Sequence, residues 1–135
     1  METTDYCSYE LSKALKAAGF DEPCLTFYDA NKELGRALDS DNFNHLGETY
    51  QGEWFTDTIS APLLYHAQKW LREKGIDICV LRSFSVKHGY HHRIVKDKDW
   101  ENEIMQPVCA GRSYEQSLSD AISAALELIT ENKNN

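Results

Sequence analysis

The first recurring apolar pattern is helical. Leu11, Ala14, Leu15 and Ala18 fall at i, i+3, i+4 and i+7 behind Ser8, which can cap, so a helix is expected over Ser8–Ala18. Gly19 supplies a residue that ends helices, and Pro23 forbids resumption. Cys24–Tyr28 then reads as a short apolar strand. From Asp29 to Thr49 the pattern dissolves into polar residues. A structureless loop of that length is unusual in a compact domain, so either Lys32–Leu38 forms a helical turn or the segment is a mobile surface excursion. Tyr50–Phe55 resembles a further strand, with Gly52 suited to a bulge or edge.

A second helix is marked by Ser60 as N-cap, Pro62 in the first turn and the stripe Leu63, Ala67, Trp70 and Leu71. Lys69, Arg72, Glu73 and Lys74 face outward, and Gly75 stops the helix. Ile76–Val86 alternates as a strand, with Ile76, Ile78, Val80, Phe84 and Val86 on one face and Asp77, Cys79, Leu81, Ser83 and Ser85 on the other. Lys87-His88-Gly89 is a turn and Tyr90–Lys96 returns as a hairpin, with Trp100–Met105 able to add another strand. Pro107 and Gly111 mark a loop. The last helix opens with the capping box Ser113-Tyr-Glu-Gln116 and continues with the broad face Leu118, Ala121, Ile122, Ala125, Leu126 and Ile129.

Helices and strands do not alternate regularly, which predicts an α+β fold. Three helices are expected on one face of a small antiparallel or mixed sheet of about four to five strands. The 135 residues suit a single domain, 1–135, with the polar excursion at 29–49 and a frayed tail at 132–135. No apolar run is long enough for a membrane span, and the polar start at Met1–Tyr6 is unlike an export signal. A cytoplasmic protein with reduced thiols is therefore expected. Cys7, Cys24, Cys79 and Cys109 contain no CxxC spacing, and Cys24 and Cys79 read as small buried hydrophobes in strands.

Three blocks are similar to a known group. They are Ser60-Ala-Pro…Ala67-Gln-Lys-Trp70-Leu-Arg-Glu-Lys-Gly75-Ile, the ending Tyr114-Glu…Ala121-Ile…Ala125-Leu-Glu-Leu-Ile129, and the opening Tyr9-Glu-Leu…Leu15-Lys-Ala-Ala-Gly19-Phe with Glu22-Pro23-Cys24. Together they cover about half the chain. They resemble recurrent segments of small uncharacterised proteins carried by prophages and mobile elements of gut bacteria. Asp29–Thr49 lies outside the shared pattern. These are helix and cap patterns, so the resemblance transfers no catalytic residue. It implies a cytoplasmic bacterial or phage setting and a dispensable, interaction-type role.

Charge alters the picture. The formal net charge is −8, which disfavours broad affinity for nucleic acid or anionic membrane. Yet Arg82, Lys87, Arg93, Lys96 and Lys98 face Asp97 alone, so the hairpin is +4 and the remainder −12. Such a ribbon, with Tyr90 interleaved, can contact phosphate or an acidic partner, or lie beside the acidic parts of its own molecule or of a second subunit. Arg82 interrupts the apolar face, which calls for a carboxylate partner or a place near a sheet edge.

His88, His91 and His92 lie within five residues, but His91 and His92 point to opposite faces of a strand and His88 and His92 straddle Gly89. Zinc would need further ligands from Cys79, His45 or His66, and no spacing supports them, so no metal and no cofactor are expected. Asp39-Ser-Asp41 begins like a calcium loop, but Phe43, Asn44 and Tyr50 occupy positions that need a ligand, a glycine and a bidentate glutamate. There is no GxSxG, P-loop, GxGxxG or HExxH. Glu53 and Asp57 beside Trp54 and Phe55 form a weak carboxylate pair, of the kind usually solvated.

Tyr50, Trp54, Phe55, Tyr90 and Trp100 are more aromatics than one modest sheet face must bury. The expected activity is thus protein–protein contact, with self-association into a homo-oligomer and a host or phage protein as a possible further partner. The interaction candidates are Arg82, Lys87, His88, Tyr90, His91, His92, Arg93, Lys96, Trp54 and Trp100. Two alternatives come from other classes: an acidic factor that mimics or accompanies nucleic acid, and a small enzyme using His91 or His92.

Overall fold

The computed structural model describes residues 3–44, 58–82, 89–96, 99–105 and 113–133, with backbone alone at 3, 99–105 and 130–133. The fold is α+β, and its strands belong to two three-stranded antiparallel sheets rather than to one sheet. Internal contacts divide the chain into two compact units, residues 1–63 and 64–135.

In the first unit a short 3-10 turn at Thr3–Asp5 leads to Tyr6, which bridges Leu63. Helix α1 spans Tyr9–Ala17. The Ser8 hydroxyl accepts the Leu11 N–H at 3.2 Å, the cap expected of it. Leu11 and Leu15 are buried. Gly19 at φ +96° ends the helix, and the Phe20 N–H closes back on the Leu15 carbonyl at 3.0 Å.

Strand β1, Cys24–Tyr28, is the central strand of the first three-stranded sheet. The polar excursion is neither a helical turn nor a wandering loop over its described part. It is a hairpin: β2 runs Leu34–Asp41 and pairs antiparallel with β1. Its turn is built by Asp29, whose carboxylate accepts the N–H groups of Asn31 (2.8 Å) and Glu33 (3.0 Å), with Lys32 at φ +63°. Between the Thr26–Arg36 and Cys24–Asp41 pairs the register slips, and Ala37–Ser40 bulge out with Leu38 fully exposed.

Strand β3 is Ile59–Ser60, paired with Tyr28 and Phe27. Ser60 is therefore not a helix cap. Pairing with β1 outcompetes the local Ser-Ala-Pro signal, and Pro62 lies ahead of the helix with its carbonyl accepting the Cys7 N–H at 2.9 Å.

In the second unit α2 spans Leu64–Glu73 and buries Leu64, Ala67, Trp70 and Leu71. Lys74 covers the Trp70 ring at 4.7 Å, and Gly75 at φ +88° turns the chain into β4, Ile76–Arg82. Strands β5, Tyr90–Lys96, and β6, Asp99–Met105, complete the sheet β4-β5-β6. Helix α3, Tyr114–Lys133, begins as the cap predicts, the Ser113 hydroxyl accepting the Gln116 N–H at 3.1 Å. The Gln116 side chain does not reach back to Ser113; it donates to Asp120 one turn on at 3.2 Å. Both helices pack on β4 and on each other, and α3 also covers β5. Ile76, Ile78 and Ile94 of the sheet and Leu118, Ala121, Ile122, Ala125 and Leu126 of α3 are buried.

The expected strand at Tyr50–Phe55, the positions Phe84 and Val86, the Lys87-His88 turn, the pair Glu53 and Asp57, Cys109 and the Pro107–Gly111 loop lie outside the described residues.

Candidate functional site

The interaction candidates concentrate on β4 and β5, whose register is continuous over seven pairs from Ile76↔Lys96 to Arg82↔Tyr90. Alternation then sorts them. Tyr90 and His92 share the face that carries Ile94. The Tyr90 ring meets the Tyr114 ring of α3 edge-on at 5.7 Å, so this is the face α3 covers. His92 is only 4% exposed there. His91 and Arg93 take the opposite face, opposite Leu81 and Cys79, and both are half-buried. The two neighbouring histidines are thus separated by the sheet, as strand alternation requires. The Nδ1 of His91 is buried with no hydrogen-bond partner among the described residues.

Lys96, half-buried, lies between Ile76 of β4 and Asp99 of β6. Strand β6 is the acidic segment Asp99-Trp-Glu101-Asn-Glu103, so the basic strand β5 runs directly beside three carboxylate-bearing positions of its own sheet. Trp100 belongs to β6. Lys87, His88 and Trp54 lie outside the described residues.

Arg82 ends β4 and is exposed. The burial expected from alternation does not reach it: Ile76 and Ile78 are buried, Val80 is half-buried, and Arg82 is out in solvent on a terminal strand of its sheet. Of the two environments the sequence called for, the structure shows the edge; among the described residues no carboxylate pairs with Arg82. Cys79 is likewise exposed and not a buried hydrophobe, and Leu81 is 38% exposed.

Strand β4 has β5 on one side. Among the described residues no backbone group bonds to its other side. One side chain does: the Gln68 amide of α2 donates to the Ile78 carbonyl at 2.9 Å. That bond identifies the parity of the edge. By the alternation of an antiparallel edge strand, Ile76, Val80 and Arg82 share the outward parity of Ile78, and Asp77, Cys79 and Leu81 share the parity that faces β5. Sequence reasoning gave Gln68 no role, because a glutamine on a helix flank leaves no pattern to read.

The first unit holds a different polar set, also missed. Asn44, Thr58, Ser60 and Thr26 are all buried. The Asn44 amide donates to the Phe20 carbonyl (2.8 Å) and its oxygen accepts the Ser60 N–H (2.9 Å). The Ser60 hydroxyl accepts the Phe43 N–H (3.0 Å), the Thr58 hydroxyl donates to the Phe43 carbonyl (2.9 Å), and Thr26 donates to the Ala61 carbonyl.

Two free thiols lie in this unit. Burial pushes the Cys24 thiol up to about 12, with the Ser60 hydroxyl pulling it back and Glu22 adding to the rise. Burial, reinforced by Cys24, raises Cys7 further. Neither is a thiolate at neutral pH, so neither is a ready nucleophile.

Among the described residues no three His, Cys, Asp or Glu side chains gather as a metal site, and no helix is long and apolar enough to cross a membrane. Compared with known proteins, the chain matches no family model, no curated protein and no solved structure.

Charge divides with the fold. Residues 1–63 hold twelve Asp+Glu against four Lys+Arg; residues 64–135 hold ten against ten. The entire net charge of −8 belongs to the first unit.

Proposed function

We propose that the chain is a small prophage-type cytoplasmic protein that acts by protein–protein contact and self-associates through the outer edge of β4, with which no other described strand pairs. The observation that supports this is the edge itself: a seven-residue strand without Pro or Gly, with Cys79, Leu81 and Arg82 exposed along it. Charge favours the same place. Two copies meeting through the −8 unit repel, whereas the second unit is neutral. Sedimentation velocity at micromolar concentration tests it. The expected species has twice the 15.5 kDa chain mass, and a 15.5 kDa species alone overturns the reading.

The charge of residues 1–63 favours one second reading, an acidic factor that occupies a basic groove of a host protein in place of nucleic acid. That reading requires a basic protein partner released at high salt.

A further inference from the structure

We infer that Gln68 is a gate on the β4 edge, holding the carbonyl that a second copy must take to pair with it. The inference rests on the self-association proposed above and adds what controls it. Antiparallel pairing of two β4 strands about a two-fold axis keeps like faces together and joins residues of one parity. The outward residues are Ile76, Ile78, Val80 and Arg82. The central registers therefore pair Ile78 with Val80, or Ile78 with Arg82, of the second copy. In either, the Ile78 carbonyl accepts an N–H from the other strand, and that is the carbonyl the Gln68 amide occupies at 2.9 Å.

The register centred on Val80 also sets each exposed Leu81 opposite the exposed Cys79 of the second copy. In that register the two Arg82 side chains are kept four residues apart along the strand. Pairing competes with the Gln68–Ile78 hydrogen bond for the outward side of the Ile78 carbonyl, once per copy. Gln68 thus weakens an edge that is otherwise competent to pair, and any contact that draws its side chain away strengthens association.

The test is sedimentation equilibrium of the full chain and four variants, with far-UV circular dichroism confirming each fold. Gln68→Ala and the near-isosteric Gln68→Met remove the competing donor. Val80→Pro removes an outward N–H that β5 does not use, and Leu81→Lys charges the exposed contact. The expected result is a dimer dissociation constant about tenfold lower in both Gln68 variants, since two displaced hydrogen bonds no longer oppose pairing. Val80→Pro and Leu81→Lys should be monomeric. A dimer abolished by these two but unchanged or weakened by the Gln68 variants overturns the gate and leaves the edge standing. A dimer indifferent to Val80→Pro and Leu81→Lys, or no association by any of the proteins, overturns the edge and the gate with it.

Discussion

In residues 1–63 the buried Asn44, Thr26, Thr58 and Ser60 side chains are all hydrogen-bonded, mostly to backbone, and they tie chain segments that share no long strand. Residues 64–135 are organised otherwise. Two helices lie on a sheet over an apolar layer of Ile76, Ile78, Ile94, Leu118, Ile122 and Leu126, and the fully buried Ser117 hydroxyl has no partner among the described residues. One unit is stitched by polar side chains and carries all the net charge; the other is a packed layer with no net charge and one edge that, among the described residues, only Gln68 bonds. The difference teaches where each unit is vulnerable. Polar stitching fails when a single donor or acceptor is removed, because its backbone partners are left buried and unsatisfied. A packed layer is indifferent to losing a hydroxyl it never satisfied.

The largest effect should come from breaking the stitching at its most connected point. Asn44→Ala removes the hydrogen bonds that the Asn44 side chain makes with the Phe20 carbonyl and the Ser60 N–H, and with them the hold of residue 44 on β3. Equilibrium urea unfolding should show a loss of about 3 kcal/mol. A loss below about 0.5 kcal/mol, the range of ordinary surface substitutions, would mean that apolar burial of Phe43 alone holds this segment and would erase the contrast between the units.

The next effect separates the units by pH. In the unfolded chain a thiol ionises near 9.0, whereas Cys24 in the folded unit is held up to about 12 and Cys7 is raised as well. A raised folded value means that the folded state keeps the proton. The stability contributed is fully present below about pH 9 and is lost as pH rises from there toward 12. Each thiol should contribute a slope of up to about 1.4 kcal/mol per pH unit. Urea midpoints measured from pH 8 to 10.5 should fall, and Cys24→Ala should flatten the fall even though it lowers stability at pH 8. An unchanged slope in that variant would show that Cys24 is not the group responsible.

Much of this was legible in the sequence where side chains report burial or capping directly. Ser8 and Ser113 cap as read, Gly19 and Gly75 end their helices at positive φ, and the β4–β5 alternation gave both the hairpin and the opposite orientation of His91 and His92. Strand β2 was not legible because most of its side chains are exposed, so no apolar period marks Leu34–Asp41; the Asp29 turn was its one local signal. Ser60 misled because a capping residue and a buried strand residue have the same identity until the pairing partner is known. At the candidate site, Arg82 was flagged by its misfit, but only the sheet order shows that it lies on an edge. Gln68 was invisible, since its role depends on a strand ten residues further on.

The smallest expected effect is the most discriminating for the second unit. Ser117 is fully buried on α3, and among the described residues its Oγ has no hydrogen-bond partner. Its backbone N–H is already spent on the Ser113 carbonyl, so replacing the side chain leaves the helix intact. Ser117→Ala removes one unsatisfied hydroxyl and almost no volume, and alanine favours the helix more than serine does. Stability should therefore hold or rise by about 0.5 to 1 kcal/mol in urea unfolding, opposite in sign to Asn44→Ala although both delete a buried polar group. A loss of 1 kcal/mol or more would show that Ser117 satisfies a group within the layer. The second unit would then depend on polar stitching as the first does.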